Sequence, residues 1–323
     1  MTAPPLRRGL LPALLLLLAA CAKPPSDVLT APQAHARPKP RPVEAPVAVT
    51  PRSAESEALV QYYARVQNDL LSQGLMRMDG GGVDTPFDAR ILAENFIRIA
   101  LYDEYPTWPG GARVARVTPS VLRRWDKPIR MSVEFGASVP RPQRERDSTM
   151  VAGYAMRLSL LTGVPLTMTR PEHANFHVFI VNEDERRAMG ERLARLVPGI
   201  SGADIRSVTD LDRATFCFAY AFSERGQSTY RQALALIRAE HPDLLRRSCV
   251  HEELAQAMGL VNDSPQARPS IFNDDEEFAL LTRQDEMMLR ILYDPRLRPG
   301  MTPEEARPIV EEIARELMGE TSV

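Results

Sequence analysis

Three short apolar runs between Ile129 and Phe222, separated by helical stretches, constrain the fold of this chain more than any other feature. In the first, Ile129, Met131, Val133 and Phe135 fall on one face and Arg130, Ser132 and Glu134 on the other, the period of two that marks a strand. The second, Phe176 to Val181, is almost unbroken. In the third, Phe216, Phe218, Tyr220 and Phe222 share one side, and Cys217, Ala219 and Ala221 the other. Between them, Asp147 to Leu161 reads as a helix ended by Gly163, and Val164 to Met168 as a short strand. Leu234 to Ile237 is a further strand or a helix end. Helices are predicted over Cys249 to Met258, stopped by Gly259, over Thr282 to Tyr293, and over Pro303 to Met318. Upstream, Ser53 opens a helix reaching Leu75. Gly80, Gly81 and Gly82 then break the chain, and Asp88 to Tyr102 forms a second helix. Such a mixture predicts an α+β fold, a mixed sheet backed by helices, with an N-terminal helical extension over 53–120 and the main domain over 121–323.

The N-terminus carries a different signal. Arg7 and Arg8 precede the apolar run Leu10 to Leu18, and Ala19 and Ala20 stand before Cys21. The run is about half of the ~20 residues that a spanning helix needs. It resembles the signal peptide and lipobox of bacterial lipoproteins. That resemblance implies cleavage after residue 20, acylation of Cys21, and anchoring in a bilayer by several acyl chains. Ala22 in place of aspartate implies the periplasmic face of the outer membrane. Residues 22–52 contain eight prolines and five Lys or Arg against Asp27 and Glu44. This composition buries no core and predicts an extended tether, with a reach of ~90 Å at ~3.1 Å per residue.

Removing Arg7 and Arg8 takes the formal charge from -2 to -4. No basic field remains to hold nucleic acid. Of three cysteines, Cys21 is assigned to lipid. That leaves Cys217 and Cys249, which in an oxidising compartment read as one disulfide, with two buried thiols as the alternative. The serines lack a Gly-x-Ser-x-Gly context, and Gly80 to Gly82 lack the Lys-Ser/Thr of a phosphate loop.

The segment from Cys249 to Asp263 bears the most chemistry. A His-Glu-x-x-His frame starting at His251 fails, because Ala255 stands at the fourth position. A frame starting at Glu252 places Glu252, Glu253, Gln256, Gly259, Asn262 and Asp263 at the spacing E-E-x-x-Q-x-x-G-x-x-N-D. Positions i and i+4 share a helix face, and a glycine lets the chain turn back toward it. This spacing resembles the metzincin zinc-peptidase motif with every histidine replaced. Trp125, Pro128 and Ile129 look like the strand entry of zincins. Ser270-Ile271-Phe272 falls where metzincins carry their Met-turn, and Leu281-Thr282, Asp285 and Ile291 to Tyr293 resemble a closing matrixin-type helix. The phrases around these residues are similar to a bacterial domain-of-unknown-function family (family 2927) of the zincin-like clan, over about Val121 to Met318.

The resemblance implies a zincin-like fold: a twisted, mostly parallel sheet, a motif helix over Val250 to Met258, and a cleft bordered by an edge strand that takes extended peptides by strand addition. The edge strand is assigned to Phe216–Phe222. Zinc chemistry needs strong ligands and an open position. Gln256 and Asn262 offer neutral amides, so no zinc is expected and Glu253, at the general-base position, has no activated water to deprotonate. Calcium is the harder-ion alternative, with Glu252, Gln256, Asn262, Asp263, Asp274 and Asp275 as oxygen donors. His251 is expected half-exposed on its helix. His173 and His177, four apart around the start of a strand, would share a sheet face if both were extended, but no third partner for a metal pair is identified; His241-Pro242 is read as a turn. The expectation is therefore a non-catalytic cleft of Glu252, Gln256, Asn262, Asp263 and His251 that holds an extended peptide or envelope protein. An atypical metallohydrolase is the alternative.

Overall fold

Residues 50–103, 118–273 and 275–320 are described by a computed structural model. The lipobox, Cys21, nearly all of the Pro-rich segment and Asp274 lie outside the described residues. The Ser53 hydroxyl accepts the amide of Ser56 at 3.1 Å and starts α1 (Ala54–Ser72). Asp88 does the same for α2 (Ala89–Ala100), accepting from Ile91 at 2.7 Å. An antiparallel pair of two-residue strands follows, β1 (Tyr102–Asp103) and β2 (Thr118–Pro119).

The main sheet begins with β3 (Arg124–Trp125) and β4 (Ile129–Phe135). After α3 (Arg141–Thr162) come β5 (Leu166–Met168), a 3-10 turn over Pro171–His173, and β6 (Phe176–Val181). Three short helices follow: α4 (Glu183–Arg187), α5 (Gly190–Leu196) and α6 (Gly202–Thr209). The chain returns through β7 (Cys217–Ser223) and β8 (Thr229–Arg238), then α7 (Asp243–Gln256), α8 (Arg283–Leu292) and α9 (Pro303–Met318). The strand order is β3–β8–β6–β4–β5, all parallel, and β7 runs antiparallel along β8 from Cys217 opposite Ile237 to Ser223 opposite Tyr230. This is a mixed α/β architecture with a mostly parallel sheet backed by helices.

The sheet is covered on both faces. Ile129, Met131, Phe176 and Val178 join α2, α3, α7, α8 and α9 in one apolar core. Phe179, Val181, Leu234 and Leu236 join Met189, Leu193, Val197 and Val208 of the short helices and loops on the other side. The second layer explains a departure from the sequence reading. Ser132 and Glu134 were assigned to the face opposite the core, yet both are buried, because 183–209 packs over them. That stretch is rich in charge and its helices have at most eight residues, too short for a 3.6-residue period to show. In β7 the assigned faces hold for Phe218, Tyr220 and Phe222, which pack on the second layer, and for Cys217, Ala219 and Ala221 on the first; Phe216, assigned with the other aromatics, lies just before the strand and packs with the first layer and Tyr63 instead.

The motif helix starts earlier than its apolar spacing suggests. It runs from Asp243, with Pro242 before it, and ends at Gln256 instead of Met258. Arg246 and Ser248 hide the early turns from a hydrophobicity reading, although both are buried. Arg246 donates to Asp147 of α3 at 2.9 Å and to Asp243 at 2.6 Å. Charge pairing, not apolar contact, fixes that end of α7 to α3.

Candidate functional site

The Cys217–Cys249 disulfide joins the first residue of β7 to the middle of α7, with Cα atoms 5.8 Å apart. Cys249, Glu252 and Gln256 lie on one stripe of the helix at i, i+3 and i+7. Glu252 and Gln256 are half-buried, so this stripe faces a partly open region beside β7. Cys217 Sγ and one carboxylate oxygen from each of Glu252 and Glu253 all lie within 4.8 Å of one another.

Glu253 is different in kind from Glu252. It is only 2% exposed and its Oε2 has no hydrogen-bond partner. Burial, helped by the negative charge of Asp263, pushes its carboxyl well above the ordinary range. The folded state therefore favours the protonated acid, which is the wrong form for a general base. The sign of the linkage follows. The raised folded pKa contributes stability below about 4.5, and that contribution is lost as pH rises from there toward the raised value. Wild-type protein is expected to lose on the order of 1 kcal/mol per pH unit over that window from this group alone. Glu253→Gln, which keeps the shape without the charge, should flatten the slope and raise stability at pH 7 to 8. Urea denaturation at pH 5, 6, 7 and 8 measures it; parallel slopes for both proteins would refute the assignment.

Asn262, at the third ligand position of the zinc-peptidase spacing, is committed elsewhere. Its Nδ2 donates to the carbonyl of Arg98 and its backbone N–H to that of Ile99, each at 3.1 Å. These satisfy carbonyls at the end of α2 that the helix itself leaves unpaired. The neighbouring carbonyls of Ala257 and Met258 accept from Trp125 Nε1 at 2.9 Å and the Tyr293 hydroxyl at 2.8 Å. Gly259 has φ +125°, which carries the chain away from α7. The donor set does not fit a tetrahedral zinc site built on Glu252, Gln256 and Asn262: two of the three positions are neutral amides, weak replacements for imidazole, although the Asn262 Oδ1, unlike its Nδ2, is buried with no hydrogen-bond partner. Of the calcium donors, Asp275 is exposed and its Oδ1 accepts the Glu277 amide at 2.9 Å, capping its own loop.

His251 is a core residue, only 4% exposed, which corrects the half-exposed placement. Its ring stacks on Tyr154 with centroids 4.0 Å apart, and its Nδ1 accepts the Leu281 amide at 3.1 Å. Burial, with Arg247 and Arg157 adding positive charge, pushes its pKa down to about 3, so the ring is neutral. An open groove of about 800 Å³ runs between α3 and α7 on this flank, lined by Met150, Tyr154, Arg157, Arg247 and His251. It does not include Glu252 or Gln256.

The histidine pair of the sequence reading is not formed. His173 ends the 3-10 turn and is exposed, whereas His177 is buried in β6. His173 is still in the 3-10 turn and a bend at Asn175 precedes β6, so the four-residue spacing does not translate into one sheet face. His177 instead belongs to a cluster that sequence reasoning missed. Its Nδ1 lies 3.2 Å from Ser132 Oγ and 3.1 Å from Glu134 Oε1, and Glu134 also pairs with Arg192. A hydroxyl–imidazole–carboxylate relay uses both ring nitrogens. Here serine and glutamate meet the same one, so the cluster holds α5 to the sheet. Its signal was Ser132 and Glu134 alternating with apolar residues, which reads equally well as a solvated face.

The Ser270–Phe272 turn is held by Asp285, which is fully buried. Its carboxylate accepts from Ser270 Oγ at 2.5 Å, from the Ile271 amide at 3.1 Å, and from the Thr282 amide and hydroxyl at 2.8 Å. Burial raises the Asp285 pKa to about 6 despite those bonds. Phe272, where metzincins place methionine, is buried in the main core.

No curated protein matches this chain at a significant level. Residues 89–312, from the start of α2 into α9, match the family model described as a protein of unknown function, DUF2927. With its disulfide-linked edge strand and its acid-and-amide motif helix, this chain belongs to the DUF2927 family.

Proposed function

We propose that the protein is an envelope lipoprotein, anchored through acylated Cys21 at the periplasmic face of the outer membrane. Its zincin-like domain is non-catalytic and binds an extended peptide or a segment of an envelope protein along β7. One observation carries the reading. Among the described residues β7 pairs with β8 alone, and its first residue is bonded to α7 one turn before Glu252. An extended chain added to that edge would run past Glu252 and Gln256, gaining main-chain hydrogen bonds from β7 and polar contacts from the helix. The twisted, mostly parallel sheet and the central helix beside its antiparallel strand agree with the zincin-like resemblance. Glu253, its carboxyl raised well above the ordinary range by burial, and the neutral amides at Gln256 and Asn262 argue for binding without hydrolysis.

Random peptides displayed on phage and selected against the full-length lipoprotein provide the probe. Bound peptides are expected to slow amide exchange over Cys217–Ser223, and Glu253→Gln is expected to leave their affinity unchanged. Selected peptides that leave β7 exchange untouched would sink strand addition. One zinc per chain in the protein as isolated, with peptide cleavage lost in Glu253→Gln, would establish the metallohydrolase instead. Independently, Cys21→Ser is expected to move the protein from the membrane to the soluble fraction, because the acyl chains supply the anchoring energy. Retention in the membrane fraction would remove the anchor from the reading.

A further inference from the structure

The groove between α3 and α7 presents hydrogen-bond donors with no protein group to receive them. His251 comes first, because one bond fixes where its proton sits. Nδ1 accepts the Leu281 amide at 3.1 Å, so that nitrogen is bare, and the buried ring is neutral. The single proton of a neutral imidazole is therefore on Nε2. Nε2 donates to no group among the described residues, although His251 is only 4% exposed and its ring lines the groove.

Two guanidiniums accompany it. Arg247 precedes His251 by four residues on α7, so the two share a helix face. It is exposed and forms no ion pair among the described residues. Arg157 is held from α3: it donates to the Leu281 carbonyl at 3.3 Å and meets Glu286 through Nε at 2.9 Å and Nη2 at 2.7 Å. Leu281 thus ties Arg157 and His251 to one point, its carbonyl taken by the first and its amide by the second. Tyr154, one turn before Arg157, stacks on the His251 ring. Arg157 Nη1 keeps no partner among the described residues, and the charge of both arginines reaches the imidazole. The carboxylates of the lining are matched elsewhere: Asp147 and Asp243 share Arg246, and Glu145 pairs with Arg141.

We propose that this groove binds a phosphate group, with Arg247, Arg157 and His251 as its donors. Guanidiniums meet phosphate oxygens with charge-assisted hydrogen bonds, and a neutral N–H adds a contact without adding charge. Three donors from two helices suit a tetrahedral oxyanion, which offers three oxygens beyond its point of attachment; a carboxylate offers two. Met150 and the Tyr154 ring continue the wall, and at about 800 Å³ the groove has room for the organic part of a phosphate ester. A soluble phosphate ester and a phospholipid headgroup share this chemistry, and relative affinity separates them. No residue of β7 lines the groove, nor does Glu252 or Gln256, so the site stands apart from strand addition.

The test is calorimetric titration of the full-length protein in detergent with inorganic phosphate, glycerol 3-phosphate, dihexanoyl phosphatidic acid and acetate, at about physiological ionic strength. One phosphate per chain is expected, with acetate at least ~10-fold weaker. Arg247→Gln and His251→Asn should each weaken phosphate binding at least ~10-fold. Asparagine keeps an acceptor for the Leu281 amide and removes Nε2. Arg315→Gln, an exposed position on α9, makes the same change in net charge and should leave binding unchanged. Near-UV circular dichroism monitors folding; should His251→Asn unfold, Arg247→Gln, at an exposed position, decides alone. Subtracting the Arg247→Gln titration removes uptake of the lipid by the micelle. A lipid at least ~10-fold tighter than glycerol 3-phosphate would identify a headgroup, and a lipid no tighter would identify a soluble ester. Absence of phosphate binding overturns the proposal, as does acetate binding as tight as phosphate. Equal losses in Arg315→Gln and Arg247→Gln would reduce the effect to net charge and overturn it as well.

Discussion

Gly259→Ala is expected to destabilise the protein by about 4 kcal/mol, a large share of the ~5–15 kcal/mol that holds a typical domain together. The backbone there has φ +125°, a region closed to residues with a side chain. A Cβ at this position would stand 2.4 Å from the carbonyl oxygen of Arg123 and 3.0 Å from Leu292 Cδ2. Neither neighbour has room to retreat. The Arg123 side chain is tied to Asp103 and Ser120, and Leu292 is fully buried. Backbone strain of ~1–3 kcal/mol adds to overpacking of ~1–3 kcal/mol. Urea denaturation of the variant beside wild type gives the number. A loss under about 1 kcal/mol would mean that the turn after α7 is softer than its packing indicates.

Removing the disulfide is the second large effect. Cys217 and Cys249 are 32 residues apart, and closing a loop of that size lowers the entropy of the unfolded chain by an amount worth ~3–4 kcal/mol. The Cys217→Ser/Cys249→Ser protein should therefore melt on the order of 10 °C below wild type, at ~2–4 °C per kcal/mol for a domain of this size. The loss should be local before it is global. Phe216 and His241, whose rings meet edge-on at 6.0 Å, flank the bond, and both rings also pack against Tyr63 of α1. Amide exchange in β7 is expected to rise more than in β6, which pairs on both sides. Calorimetry and exchange mass spectrometry check the two parts. Equal melting temperatures would show that the bond constrains nothing that packing does not already constrain.

Much of the architecture was legible in the residues. The runs at Ile129–Phe135 and Phe176–Val181 became β4 and β6 with those bounds, and Pro303–Met318 became α9. Phe216–Phe222 became β7 displaced by one residue. These elements each bury an apolar stripe, and a stripe is what periodicity detects. The Ser53 cap and the pairing of Cys217 with Cys249 were readable for the same local reason: each depends on a few atoms of identifiable chemistry.

The candidate site was legible in position but not in protonation or exposure. Sequence alone determined that Glu252 and Gln256 share a helix stripe and that Gly259 turns the chain, because helical spacing and backbone sterics are properties of neighbouring residues. Only the tertiary structure decided that Glu253 is buried with its carboxyl pushed up, that Asn262 closes the end of α2, that His251 supports Leu281, and that His241 faces Cys249. Those facts depend on partners that are distant along the chain. Desolvation and long-range hydrogen bonding leave no periodic trace, because they are set by whatever the fold brings to that point.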